Sequence, residues 1–147
     1  MQVLKNSLAA VLGYAVMFAA AFVLFSLLWM VLGADGSFAP GVWDVSGAWI
    51  GGNIVLGIVV SMAGGFVCSK VAPSYQGVAI LMGLVLVVGI LQLMPEATVG
   101  GARPDGASMF DAMSSAQMPM WLMWINPVVG VVGVAFGAKL EGNFRAQ

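Results

Sequence analysis

The sequence predicts an all-α fold, a four-helix transmembrane bundle with both termini in the cytoplasm. Three observations support this prediction. Hydrophobic residues make up 61% of the 147 positions and charged residues only 7%, whereas about 25% of the residues of an average soluble domain are charged. Four apolar stretches are long enough to cross a bilayer, which takes about 20 residues. The charged residues lie between these stretches, just beyond them or one residue from their ends, so none lies in the interior of a stretch. We therefore expect a single membrane domain over residues 1–147.

The predicted spans cover about 8–32, 46–71, 74–94 and 118–140. The first span exceeds the roughly 7–15 apolar residues of a signal peptide, and no convincing cleavage site follows it, so we expect it to be retained. Prolines and glycines interrupt the first half of the outward loop 95–117 and disfavour regular structure there. The second half, ASMFDAMSSA, predicts a short amphipathic helix that rests on the bilayer surface through three apolar side chains: Met109, Phe110 and Met113.

Basic residues predict the orientation, because cytoplasmic loops of membrane proteins are enriched in Lys and Arg. Arg103 lies alone on one side, and the other four basic residues lie on the opposite side: Lys5, Lys70, Lys139 and Arg145. The side with four basic residues is therefore expected in the cytoplasm of a bacterial cell, with the chain in the inner membrane. The tryptophans agree, since all five lie near the outward ends, where an interfacial belt is expected: Trp29, Trp43, Trp49, Trp121 and Trp124.

Small residues form a continuous stripe on the second span. Residues four apart share a helix face, and small side chains let two helix backbones approach closely in a membrane. The stripe begins at Asn53 and continues through Gly57, Ser61, Gly65 and Ser69, with Gly47 and Gly51 slightly rotated from it. The last span carries a comparable face with Gly130, Gly133 and Gly137. We expect these two helices to make the closest contacts, with each other or with a neighbour.

Each span also places one polar side chain in the outward half of the predicted bundle. These residues are Ser26, Asn53, Gln92 and Asn126. One interpretation is a small polar pocket or the mouth of a pathway, supported by Pro127, which removes a backbone donor from the last span. The other interpretation is a set of hydrogen bonds that clamps the helices together, because bare amides in hydrocarbon are costly. The clamp is the favoured interpretation.

The residue inventory argues against most catalytic and cofactor chemistry. The chain has no histidine and a single cysteine, Cys68, so it lacks His-containing catalytic pairs and the Cys/His zinc patterns. No span contains an ionisable residue of the kind that proton relays use. Five scattered basic residues do not suit nucleic-acid binding. The sequence therefore predicts no cofactor, no nucleic-acid partner and no enzymatic activity.

Methionines crowd the end of the outward loop and the start of the last span. They are Met109, Met113, Met118, Met120 and Met123. Thioethers are soft ligands that select Cu(I), so one interpretation of these methionines is a metal site. Methionine is also an adaptable apolar filler, which is the favoured interpretation.

The segment GGFVCSKVAP, residues 64–73, resembles the end of the second helix in a broad group of small, uncharacterised bacterial four-helix membrane proteins. In that group a Gly-Gly-rich helix ends in a short basic turn before the third helix. The resemblance also rests on chain length and on the span that opens the chain. It implies a fold of this kind and no particular activity.

Two functions are consistent with these patterns. The first is a structural or accessory subunit that associates through small-residue helix faces, as a homo-oligomer or in a larger membrane complex. The second is a small channel or transporter for a neutral or weakly polar solute, which would use the outward polar residues.

Overall fold

In a computed structural model, which describes residues 1–93 and 102–141, the chain is all-α. Its helices are α1 (Gln2–Ser37), α2 (Gly47–Val71), α3 (Tyr75–Leu91), α4 (Met109–Ser115) and α5 (Met120–Leu140). The short helix expected in the second half of the outward loop is therefore present as α4. The part of the first half that lies at 95–101 falls outside the described residues.

Three helices, α1, α2 and α5, are long and apolar enough to cross a membrane. Helix α3 is also apolar but has only 17 residues, near the lower end of the spanning range. Helices α2, α3 and α5 begin or end within three residues of the predicted spans. Helix α1 extends beyond its predicted span at both ends, because the polar residues that flank the apolar run also adopt helical conformation.

Gly33 interrupts the regular geometry of α1 close to its end. Its backbone has φ 62° and ψ −175°, outside the helical region. A residue with a Cβ rarely adopts a positive φ, whereas glycine does so at little cost. The glycine therefore allows the last turn of α1, residues 34–37, to change direction.

The four longer helices pack around one core. Helix α2 makes extensive contacts with α5 and with α1, and α3 packs against α5 and α1. Helix α2 also touches α3, whereas α1 and α5 do not meet within the described residues. Leu81, Val134 and Cys68 are fully buried where these helices converge. The α2–α5 pair is thus central to the packing.

A buried hydrogen-bond group joins α1 to the turn between α2 and α3. Asn6 is 2% exposed. Its amide nitrogen donates to Gln76 Oε1 at 3.1 Å, and its amide oxygen accepts from Ser74 Oγ at 3.0 Å. Ser74 also caps α3 by accepting from the Gly77 backbone N–H. We call this group, Asn6 with Ser74 and Gln76, the amide clamp.

The opposite end of the molecule carries a cap built from residues 38–46 and 102–117. The backbone N–H of Ala39 donates to the Asp44 carbonyl at 2.8 Å, and that of Gln117 donates to the Trp43 carbonyl at 2.9 Å. Phe38 and Trp43 are buried with their ring centroids 5.3 Å apart. Trp43, one of the tryptophans predicted to form an interfacial belt, is thus buried in a small aromatic core of the cap.

Candidate functional site

The small-residue faces of α2 and α5 pack directly on each other. A Cβ added to Gly65 would collide with the backbone carbonyl of Val134, and one added to Gly137 would collide with the carbonyl of Met62. A Cβ on Gly133 would lie 2.5 Å from the Cβ of Ser61. These close approaches require glycine, because any larger side chain would separate the two backbones.

A second close approach joins α1 and α2. A Cβ on Gly13 would lie 2.8 Å from the Gly64 carbonyl oxygen, and one on Gly64 would lie 2.9 Å from the Gly13 carbonyl oxygen. The Met17 side chain of α1 also lies against Gly64. Sequence reasoning did not single out Gly13, although Ala9 lies four positions before it and forms a small-residue pair with it.

The other residues that were predicted to pack the helices together lie in different environments. A Cβ on Gly57 would lie 3.7 Å from Val129 Cγ1, which is an ordinary contact, whereas Gly130 makes room for Val85 of α3. Ser61 donates to the Gly57 carbonyl oxygen at 2.6 Å. The Ser69 hydroxyl is buried without a hydrogen-bond partner among the described residues. Gly57 is thus the glycine of the stripe beside which some free space remains, enough for a Cβ in ordinary contact with Val129.

That free space belongs to a partly open pocket of about 130 Å³ between α1, α2 and α5. We call it the amide pocket, because two carboxamides line it from different helices. Its lining residues are Phe25, Asn53, Gly57, Ser61, Asn126, Val129 and Gly130. Asn53 lies six residues after the start of α2, about 9 Å along the helix, and Ser61 lies about 12 Å further. The pocket therefore begins about 9 Å from the capped end of α2 and extends to the middle of the helix.

The two carboxamides do not clamp the helices together. Asn53 is only 9% exposed and Asn126 is partly buried. Among the described residues, neither side chain forms a hydrogen bond to the other or to a third group. Each amide thus keeps two donors and an acceptor available inside the pocket. This arrangement differs from the hydrogen-bond clamp that was favoured for these two residues.

Ser26 and Gln92 do not join the amide pocket. The hydroxyl of Ser26 donates to the Phe22 carbonyl of its own helix at 2.7 Å. Gln92 follows the last turn of α3 and is exposed. Pro127 does not break α5, which continues through it, and its ring packs against Gly89 of α3. Two of the four predicted polar residues are therefore brought together, and two are not.

The five methionines on α4, before α5 and at the start of α5 differ in exposure. Met113, Met118 and Met120 are exposed, whereas Met109 and Met123 are partly buried. Exposed Met113 and Phe110 on α4 give this helix an apolar outer surface. Cys68 is fully buried in the helix core. A metal role for the methionines stays a prediction.

Sequence reasoning missed the amide clamp and the role of Arg103. The Arg103 guanidinium pairs with Asp35 of α1 at 2.7 Å, and its side chain is 8% exposed. Its backbone N–H also donates to the Gly41 carbonyl, which ties the cap together. The sequence carried one signal for Asn6, because it is a polar residue directly before the predicted first span. It contained no sign of the partners of Asn6, which lie 68 and 70 residues away.

Comparisons with known protein families, with curated proteins and with solved structures found no match for this chain. The functional conclusion therefore rests on the residues and their geometry.

Proposed function

We propose that the chain is a non-enzymatic integral protein of the bacterial inner membrane that crosses the bilayer four times. The position of α3 supports the fourth crossing. Its first turn lies beside Asn6 near the start of α1, and Gly89 near its end contacts Pro127 in the first half of α5. Because the ends of α3 lie at different levels of the long helices, α3 accompanies them through the bilayer.

The charges support cytoplasmic termini. Lys5, Lys70 and Lys139 are exposed at the end of the molecule where α1 begins. The cap end carries Arg103, which is paired with Asp35 and largely buried. Exposed positive charge is therefore concentrated at one end, and the positive-inside rule assigns that end to the cytoplasm.

The biological role that we propose first is that of a structural or accessory subunit. It associates through a small-residue helix face, with a second copy or with a larger membrane complex. One observation carries this role: Gly47 and Gly51 lie four residues apart on α2, and no atom lies within 4 Å of a Cβ added to either. The other small residues of α2 and α5 mostly pack within the chain, so this pair is the part of the small-residue surface left for a partner helix.

Native electrophoresis of gently solubilised membranes tests the accessory role. We expect the protein to migrate in an assembly larger than its monomer. Gly51→Ile should shift it towards the monomer, because the bulky side chain keeps the partner backbone away. Gly83→Ile is the matched control, since Gly83 of α3 also has open space around it. Migration as a monomer, or an assembly that Gly51→Ile leaves unchanged, would contradict this role.

A small channel or transporter for a neutral solute is the second candidate function. The amide pocket favours it, because unpaired carboxamides within membrane helices are the groups that a polar solute would contact. Asn53→Leu and Asn126→Leu should abolish solute flux into proteoliposomes and leave the fold intact. Ser26→Ala is the control, because Ser26 lies outside the pocket. Undiminished flux in both asparagine variants would reject the pathway.

A further inference from the structure

We propose that the amide pocket binds a small neutral molecule carrying both hydrogen-bond donors and acceptors, with primary amides and ureas as the ligand class. This inference rests on the second candidate function, because it assigns a ligand to the same pocket.

The chemistry of the two asparagines points to this ligand class. The Asn53 side chain is nine-tenths buried, lines the pocket and has no hydrogen-bond partner among the described residues. The amide atoms of Asn53 are not among the sealed, unsatisfied polar atoms of the described residues, so a group that binds in the pocket can reach them and form hydrogen bonds. Each carboxamide offers an acceptor oxygen beside a donor nitrogen. A primary amide presents the reverse order of groups and pairs with it through two hydrogen bonds.

The walls of the pocket favour neutral ligands. None of its lining residues is ionisable, and Phe25, Val129 and the two glycines contribute apolar surface or backbone. An ion entering this site would lose its hydration without meeting an opposite charge, which is strongly unfavourable. Ser61 adds one acceptor, since its hydroxyl hydrogen is already donated to Gly57.

The volume of the pocket limits the size of the ligand. A partly open pocket of about 130 Å³ has room for several waters or for one small polar molecule. Acetamide and urea each have four non-hydrogen atoms and fit this space.

Selective ¹⁵N labelling of asparagine provides a direct test with the full chain in nanodiscs. The sequence has four asparagines, so the side-chain NH₂ signals form a small set that single substitutions can assign. We expect acetamide to shift the Asn53 and Asn126 signals saturably, in the millimolar range. The Asn6 signal is the internal control, because its amide is already bonded to Gln76 and Ser74. N,N-dimethylacetamide, which lacks the donor, should give no saturable shift.

Gly57→Val tests whether the acetamide binds in this pocket. Gly57 lines the pocket and leaves room for a Cβ, so the added side chain occupies the binding space. It should remove the saturable acetamide shift at Asn126 while the Asn6 signal stays in place and reports an intact fold. Gly57→Ala serves the same purpose with a smaller side chain. Shifts that do not saturate, or saturable binding that persists in the filled pocket, would overturn the proposal and leave ordered water as the occupant.

Failure of the acetamide-binding proposal can be distinguished from failure of the channel or transporter function. Saturable acetamide binding without acetamide flux in proteoliposomes would retain the binding site and reject transport. Flux of another solute that requires Asn53, without acetamide binding, would retain transport and reject this ligand class.

Discussion

At the scale of single residues, two glycines of the same α2 stripe, Gly57 and Gly65, are expected to respond differently to the same substitution. A Cβ on Gly65 would collide with the Val134 backbone of α5, whereas a Cβ on Gly57 would make only an ordinary contact with Val129. Gly65→Ala should destabilise the protein by about 1–3 kcal/mol, because overpacking must push two backbones apart. Gly57→Ala should change stability by less than about 1 kcal/mol, because alanine fits there and favours the helix. Unfolding of both variants in one detergent measures the difference.

Equal effects of the two substitutions would contradict this α2–α5 contact. Gly83→Ala is a control for the general effect of replacing a helical glycine, since no atom lies within 4 Å of a Cβ added to Gly83. Its change in stability is the baseline from which the Gly65 effect is counted.

Two buried asparagines also differ in what they contribute. The Asn6 side chain forms hydrogen bonds with Ser74 and Gln76, whereas the Asn53 side chain has no hydrogen-bond partner among the described residues. Asn6→Ala should cost about 1–3 kcal/mol, because it leaves buried polar partners unsatisfied. Asn53→Ala should cost less, since it removes an amide that has no internal partner. The same detergent unfolding experiment compares them, and a larger loss for Asn53→Ala would show that its amide stabilises the fold.

At the scale of elements, α4 is held by a capping box. The Ser108 side chain accepts from the Asp111 backbone N–H, and the Asp111 carboxylate accepts from the Ser108 hydroxyl and backbone N–H. The Ser108 hydroxyl, then its backbone N–H, lowers the pKa of Asp111 below the ordinary aspartate value. The stabilisation is therefore complete above the pKa of the unfolded state and is lost as pH falls through the lowered folded value.

We expect acidification to fray α4 before it affects the long helices. In a pH titration followed by NMR, Ser108→Ala should raise the Asp111 pKa towards its ordinary value, because both its hydroxyl bond and the box geometry are lost. Ser114→Ala is the control, since that hydroxyl bonds only to backbone carbonyls of its own helix. An Asp111 pKa that Ser108→Ala leaves unchanged would contradict the capping box.

The helices themselves were largely predictable, whereas their pairing was not. Long apolar runs bounded by polar or turn residues indicated α2 and α5 to within two residues, since Ser46 and Pro119 directly precede them. The contact of Gly65 with Val134, however, joins positions 69 residues apart, and the glycine pattern left open which helix α2 would meet. The cap was missed for the same reason, because Trp43 and Gln117 pair through backbone groups that have no sequence signature.

The candidate site was predictable in part. Depth along each helix identified Asn53 and Asn126, because both lie about 9 Å from a helix end. The depth of a residue along its helix does not specify which face of the helix it occupies. The same reasoning therefore also selected Ser26 and Gln92 as members of the predicted polar set. Only the relative rotation of α1, α2 and α5 decides which polar groups reach the amide pocket. Four membrane crossings and their orientation stay predictions.

At the scale of the whole molecule, charge divides the two ends of the helices. Lysines on α1, α2 and α5 are exposed at one end, and the cap with its aspartates occupies the other. If the capped end faces outward, a cysteine placed there should react with a membrane-impermeant maleimide in intact spheroplasts. Cys68 is the chain's own cysteine and is fully buried, so Cys68→Ala supplies a background for this measurement.

In that background, Asp105→Cys should be labelled in intact spheroplasts and Lys139→Cys only after the membrane is opened. Both parent residues are exposed, so a difference in labelling reports the side of the membrane rather than burial within the fold. Labelling after detergent lysis confirms that each cysteine is reactive. Equal labelling of both sites before lysis would contradict four crossings with cytoplasmic termini, and the reversed pattern would place the exposed lysines outside against the positive-inside rule.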